Sequence, residues 1–271
     1  MEGAPDLDFL RARQGTRGAS GVSSGSAENT ADAACPNAEE VLSEPYWSLI
    51  GRHDELAALA SALERRQSRL IRGPRGSGKT RLIQEALAQL EQPSLFVRQP
   101  RVLHQLLVEL AAGLRCAVRR STSIVLKPAV LEALRSRPRC VVVDDIADAD
   151  PRMYRFLQQI YHSPGSCLIV AARSRARLGH LHKLFWDPRE EIALQPLDHR
   201  EARALFDAAA EALGLTGFDL EGFRRNALAA ARGNPGQIVA MCRMAARPEY
   251  HSGRRIKFPS LRIDAFTAFA S

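Results

Sequence analysis

The segment Gly73-Pro-Arg-Gly-Ser-Gly78-Lys79-Thr80 constrains this chain more than any other stretch of it. It fits G-x-x-x-x-G-K-[ST], the pattern of a loop that wraps phosphate oxygens. Glycines let the backbone turn so that successive N–H groups point inward at an anion. A helix beginning directly after the loop adds the positive end of its dipole. In this reading Gly73, Pro74, Arg75, Gly76, Ser77 and Gly78 form the cradle. Lys79 reaches the β- and γ-phosphates, and the Thr80 hydroxyl ligates Mg²⁺. The context agrees: apolar Leu70–Ile71 precedes the loop, and Arg81-Leu-Ile-Gln-Glu-Ala-Leu follows as an amphipathic helix. A strand, a glycine loop and a helix in that order predict a parallel α/β sheet.

The rest of the chain repeats that rhythm. Short apolar runs at Leu95–Val97, Cys140–Val143, Cys167–Ala171 and, more weakly, Ile192–Leu194 read as strands covered on both faces. Helical patterns lie between them, at about 54–66, 80–91, 102–118, 126–136 and 151–161. After Pro196 the strands stop, and three helical segments follow near 199–213, 219–232 and 235–246. The expected organisation is a flexible tail over 1–45 and an α/β body over 46–195. A helical unit over 196–250 follows, and the segment over 251–271 reads as an edge strand and a short helix packing back on the body, or instead as a partner-docking tail. The tail is expected because Gly, Ser, Ala and acidic residues cannot bury enough apolar surface to offset their ordering entropy.

A second acidic element supports the first. Cys140-Val-Val-Val143-Asp144-Asp145 is an apolar strand ending in two carboxylates, about 65 residues after the phosphate loop. Asp144 would hold Mg²⁺, and Asp145 could orient or deprotonate an attacking water. Asp148 and Asp150 read instead as helix caps, with Pro151 at the first helical position.

Composition excludes several classes. No run of about 18 apolar residues suggests a membrane span, and the first residues lack the apolar core of a secretory signal. The five cysteines, Cys35, Cys116, Cys140, Cys167 and Cys242, are scattered without a C-x-x-C pair. That pattern suits a reducing cytoplasm and argues against a disulfide framework or zinc site. His180 and His182 have no acidic or thiol neighbour in sequence and read as a solvated loop. The net charge is +8, but residues 1–45 carry eight acids against three arginines, which leaves +13 on the remainder. A basic body invites nucleic acid as a partner. However, 34 of the 38 basic residues are arginine, a skew that coding bias also produces.

In order and spacing these elements resemble AAA+ ATPases, nearest the branch that holds the STAND signalling ATPases and the origin-recognition-like ATPases. Ile50-Gly51-Arg52-His-Asp-Glu-Leu resembles the opening "hhGRxxEL" segment, which implies that Gly51 and Arg52 lie against the base. Leu168-Ile-Val-Ala-Ala-Arg173-Ser resembles the sensor 1 strand. Ala171 and Ala172 replace its usual hydroxyls, so only Arg173 carries over, near the γ-phosphate. Leu194-Gln-Pro-Leu197-Asp-His-Arg-Glu-Ala resembles the start of the helical lid. Gly233-Asn-Pro235-Gly236 resembles the GxP motif of that lid, which implies that Pro235 touches the base.

The resemblance covers about residues 46–246 and implies a P-loop NTPase: a three-layer parallel sheet with a small C-terminal helical lid. It further implies an ATP- and Mg²⁺-dependent ATPase acting as a conformational switch, with Lys79, Asp145 and Arg173 as catalytic residues. Assembly into a homo-oligomer would let a neighbouring subunit supply an arginine, for which Arg152, Arg175, Arg177 and Arg189 are candidates. The residues past the lid are too few for the winged helix common in STAND proteins, so a separate effector protein is an expected partner. Two alternatives stay open: a DNA-associated ATPase of the replication or transposition type, and a sensor that binds ATP without hydrolysing it.

Overall fold

The computed structural model describes residues 49–91, 93–117 and 121–270; the expected tail over 1–45 lies outside them. Five parallel strands form the central sheet: β1 (Arg69–Arg72), β2 (Ser94–Arg98), β3 (Cys140–Asp144), β4 (Cys167–Ala172) and β5 (Glu191–Ala193), in spatial order β2-β3-β4-β1-β5. The strand that feeds the phosphate loop is thus flanked by β4 and β5, and its neighbours hold the loop from both sides.

Alternation along the strands sorts the core into two layers. Leu70, Leu95, Val97, Val141, Val143, Leu168 and Val170 pack with α3 (Leu103–Gly113), α4 (Ser123–Ser136) and α5 (Pro151–Tyr161). Ile71, Cys140, Val142, Cys167, Ile169 and Ile192 pack with α1 (His53–Glu64) and α2 (Lys79–Gln89). Period-two side chains with both faces covered explain why these strands are apolar throughout. The single pattern expected over 102–118 is shorter: α3 ends at Gly113. The next helix starts earlier than expected, at Ser123, and runs through Pro128. Asp150 caps α5, accepting from Met153 N–H at 2.7 Å. Asp148 does not cap it. Its own N–H donates to Arg177 O at 2.7 Å, tying the loop after β3 to the turn after β4.

A second core lies beyond β5. It joins α6 (His199–Ala212), α7 (Leu220–Ala231), α8 (Pro235–Ala245) and α9 (Phe258–Ala270) around Phe206, Ile238, Cys242 and Leu261. α6 opens with a capping box: Asp198 accepts from Glu201 N–H, and the Glu201 carboxylate accepts from Asp198 N–H. Before α9, β6 (His251–Ser252) and β7 (Arg255–Ile256) pair only with each other, as a small antiparallel hairpin. The terminal strand is therefore not an edge of the main sheet. No described helix is long and apolar enough to cross a membrane.

Candidate active site

The phosphate loop leaves β1 and turns into α2. Gly78 has φ of +96°, with open space where a Cβ would stand, so the backbone angle rather than crowding requires glycine. Lys79 is buried, and its Nζ donates to Gly73 O at 2.8 Å and Pro74 O at 3.0 Å. Burial depresses the Lys79 pKa, while the carboxylates of Asp145 and Asp144 oppose the shift. The lysine is therefore drawn over its own loop and electrostatically tied to the end of β3.

The structure brings Thr80 and Asp144 together: Thr80 Oγ1 donates to Asp144 Oδ2 at 2.7 Å. Asp144 Oδ1 is buried without a hydrogen-bond partner. Burial raises the Asp144 pKa, against the Thr80 bond and the Lys79 charge. A desolvated carboxylate with an orphaned oxygen, beside a hydroxyl, is a fitting pair of hard oxygen donors for Mg²⁺.

Asp145 is arranged differently. Its carboxylate is held by both arms of Arg173, Nε to Oδ1 at 3.0 Å and Nη2 to Oδ2 at 2.9 Å. Gln99 Nε2 adds a third bond, to Oδ2 at 3.0 Å. The Arg173 bond is the main reason the carboxyl sits below its ordinary pKa range. Asp145 and Gln99 both have positive φ, +49° and +47°, at the ends of adjacent strands. Left-handed backbone on non-glycine residues is costly and gathers at functional sites.

These residues open onto a cleft of 860 Å³ walled by Arg75, Gly76, Lys79, Thr80, Arg98, Gln99, Asp144, Asp145, Arg173 and Arg177. A second cleft, of 470 Å³, lies on the other side of the loop. Pro74 and Ser77, Gln195 and Pro196, the segment from Ala229 to Gln237 including Pro235, and Arg262 of α9 line it. Two bonds dock the lid onto the loop between the clefts: Gly236 N–H to Gly76 O at 2.8 Å, and Asn234 Nδ2 to Arg75 O at 2.8 Å.

Gly51 and Arg52 line neither cleft. Arg52 is 5% exposed and donates to Glu55 at 2.9 Å, to Gln195 O, and to Ser77 O at 3.5 Å. Gly51 faces the Glu201 carboxyl, which leaves no room for a Cβ. Among the four arginines considered for donation to a neighbour, Arg177 lines the phosphate cleft of its own chain. Arg175 is held by Glu191 and Phe185 O. Arg152 and Arg189 are exposed. Sequence reasoning missed Arg98 and Gln99. Their only signal was a strand that ends in polar residues, and the adjacency of β2 and β3 supplies the rest.

A strand-loop-helix phosphate cradle beside a strand ending in two acids, on a sheet of this order, defines a P-loop nucleoside triphosphatase. The chain belongs to the AAA ATPase domain family, whose model matches residues 48–217. It is an ATP-hydrolysing enzyme of that family, and its ligand is a nucleotide. Pro235 and α9 fall outside the matched span. Among solved structures, the fold is similar to a Walker-type ATPase of Pyrococcus abyssi, with a TM-score of 0.58 and 17% identity; the match covers 82% of this chain and 74% of that one. It is also similar to a signal transduction ATPase with numerous domains (STAND) from Pyrococcus horikoshii that bears a tetratricopeptide repeat sensor. There the TM-score is 0.51 and identity 16%; the match covers 83% of this chain but only 33% of the other. No curated protein matches the chain.

Proposed function

We propose that this protein is a Mg²⁺-dependent ATPase whose helical lid moves with the state of the nucleotide. The observation that carries the reading is the direct seating of the start of α8 on the phosphate loop, through Gly236 to Gly76 O and Asn234 to Arg75 O. A loop that reshapes around phosphates displaces those carbonyls, and a lid bonded to them must follow. Differential contact with two nucleotide states is what shifts such an equilibrium.

In this reading the triphosphate lies in the larger cleft, with the backbone N–H groups of Gly76, Gly78, Lys79 and Thr80 and the Lys79 ammonium around it. The base lies in the smaller one, against Pro74 and Pro235. Arg52 serves the base indirectly, by fixing Ser77 and Gln195. Thr80 and Asp144 would hold Mg²⁺, which when bound neutralises phosphate charge and favours displacement at the γ-phosphorus. Asp145 accepts a proton from the attacking water or orients it, and Arg173 leaves Asp145 to meet the γ-phosphate. Positioning and charge neutralisation supply most of the rate, as phosphoryl transfer requires. A homo-oligomer would draw a trans arginine from Arg152 or Arg189, and an effector protein would read the lid.

The test is Mg²⁺-dependent ATP turnover across a protein concentration series, paired with amide exchange in α8 under ATP and ADP. Turnover that disappears in Lys79→Ala, with exchange that differs between nucleotides, supports the switch. Turnover with identical α8 protection in both states leaves an ATPase but sinks the lid as its output.

A further inference from the structure

We propose that Arg98, at the end of β2, is a γ-phosphate-binding residue supplied in cis, so that this chain distinguishes ATP from ADP without a neighbour's arginine. The proposal rests on the assignment of the larger cleft as the phosphate site.

Its basis is strand register. Arg98 pairs directly with Asp144 across β2 and β3, and the next residue, Gln99, donates its backbone N–H to Asp144 O at 2.8 Å. Paired residues of parallel strands project to the same face. Asp144 projects toward Thr80 on α2, and Phe96, two residues before Arg98, packs against that same layer. Arg98 therefore stands on the metal-and-loop side of the sheet, next to the carboxylate that ends β3. Its guanidinium carbon lies 5.7 Å from the Phe96 ring centroid, and the residue lines the larger cleft.

Charge pairing separates it from Arg173 and Lys79, and its register beside Asp144 separates it from Arg101 and Arg177, which line the same cleft. Arg173 is committed to Asp145 in a two-armed bond, and Lys79 is bonded to loop carbonyls. Among the described residues the Arg98 guanidinium has no ion pair and no hydrogen bond. A planar, permanently charged fork at a phosphate cleft, lacking a protein acceptor, suits a terminal phosphate better than a bridging one. Terminal oxygens carry the charge that a two-armed arginine contact recognises. ADP has no group there, so Arg98 would add nothing to its binding.

Measuring ATP and ADP affinities of Arg98→Ala by calorimetry, at one fixed salt, tests this. ATP affinity is expected to fall about 10- to 100-fold, the worth of a charge-assisted hydrogen bond, with ADP affinity unchanged. Arg98→Gln, which keeps the stem over Phe96, should match Arg98→Ala. Arg101→Ala removes the same charge from the same cleft wall and should cost no more than about threefold, as a screened field effect does. Equal losses for ATP and ADP, no loss in either, or an equal effect of Arg101→Ala each overturn the proposal. Lys79→Ala separates the two levels of the argument. If it leaves both affinities intact, the cleft is not the phosphate site and the Arg98 assignment falls with it. If it abolishes both while Arg98→Ala changes neither, only the Arg98 assignment fails.

Discussion

Arg173 grips Asp145 with both arms of its guanidinium, at 3.0 and 2.9 Å, and so occupies the carboxylate that the sequence offers as the water-activating base. With the roles proposed above, one ion pair withholds two groups, the base and the γ-phosphate sensor. Both become available by the same motion of Arg173 away from β3. The pair is partly exposed, 38% for Arg173 and 24% for Asp145, so opening it requires no disruption of the core.

Asp145→Asn keeps the size and the Gln99 neighbour but cannot take a proton. Turnover is expected to fall about 100-fold or more, the usual contribution of a positioned base, with ATP binding retained. The pH profile follows from the direction of the shift. The ionised form is the active one, and Arg173 holds the Asp145 carboxyl below its ordinary range. Because kcat/KM reports the resting enzyme, in which the pair is closed, kcat/KM should stay level as pH falls through the usual carboxylate range and drop only below it. The pair's contribution to stability is likewise present at higher pH and lost as pH falls through that depressed value. In Arg173→Ala the acid limb should move up; an unmoved limb would dissociate it from Asp145.

Arg52 sets a different expectation from the one its sequence context gives. It is buried, and its guanidinium binds Ser77 O of the phosphate loop and Gln195 O at the exit from β5. Arg52→Ala leaves those carbonyls without a donor and should cost about 3 kcal/mol, as breaking a buried charged contact does. Arg52→Lys should rescue little, because one ammonium cannot serve Glu55 and two carbonyls in a plane. Denaturant melts of the three proteins check this, and a rescue by lysine would mean that charge alone matters there.

Glu191 anchors the edge strand β5 by accepting from Arg72 Nε at 2.5 Å and Arg175 Nε at 2.7 Å. Burial pushes its pKa up, but the bonds to Arg175 and Arg72 outweigh that and leave it lowered. A lowered folded pKa stabilises at neutral pH and is lost as pH falls through it. Glu191→Gln is expected to cost about 1–2 kcal/mol at pH 7. The difference from wild type should close in acid; a gap that stays constant from pH 7 to strong acid would show that the ion pairs contribute nothing.

The phosphate loop, the acids after β3 and the lid helices were legible because each is a local pattern. Glycine angles, strand apolarity and helix period are all properties of neighbours in sequence. Arg98 and Gln99 were not legible, because their place depends on β2 lying against β3, a pairing 46 residues apart for Gln99 and Asp145. The Arg173–Asp145 bond was missed for a related reason: both residues were assigned to the ligand, and their attraction to each other was left out. Asn234 caps α8, accepting from Gln237 N–H at 3.2 Å, yet its amide nitrogen also reaches Arg75 O. Local chemistry explains the first bond, and only the tertiary fold supplies the second.

Two glycines in the lid should respond oppositely to the same substitution. A Cβ on Gly236 would stand 2.7 Å from Gly76 Cα and 2.9 Å from Gly76 O, backbone atoms that cannot swing aside. Gly236→Ala must therefore lift α8 from the phosphate loop or distort the loop, at about 1–3 kcal/mol. The strain falls on the 2.8 Å bond that joins lid to loop, so ATP affinity should drop as well. Gly222, in the first turn of α7, has nothing within 4 Å of its Cβ position. Gly222→Ala should gain about 0.5–1 kcal/mol from helix propensity alone and leave nucleotide affinity as it was. Thermal melts and ATP titrations on both variants decide it. If Gly236→Ala lost stability but bound ATP as wild type does, the seat of α8 on the loop would be packing alone, not a link between nucleotide and lid.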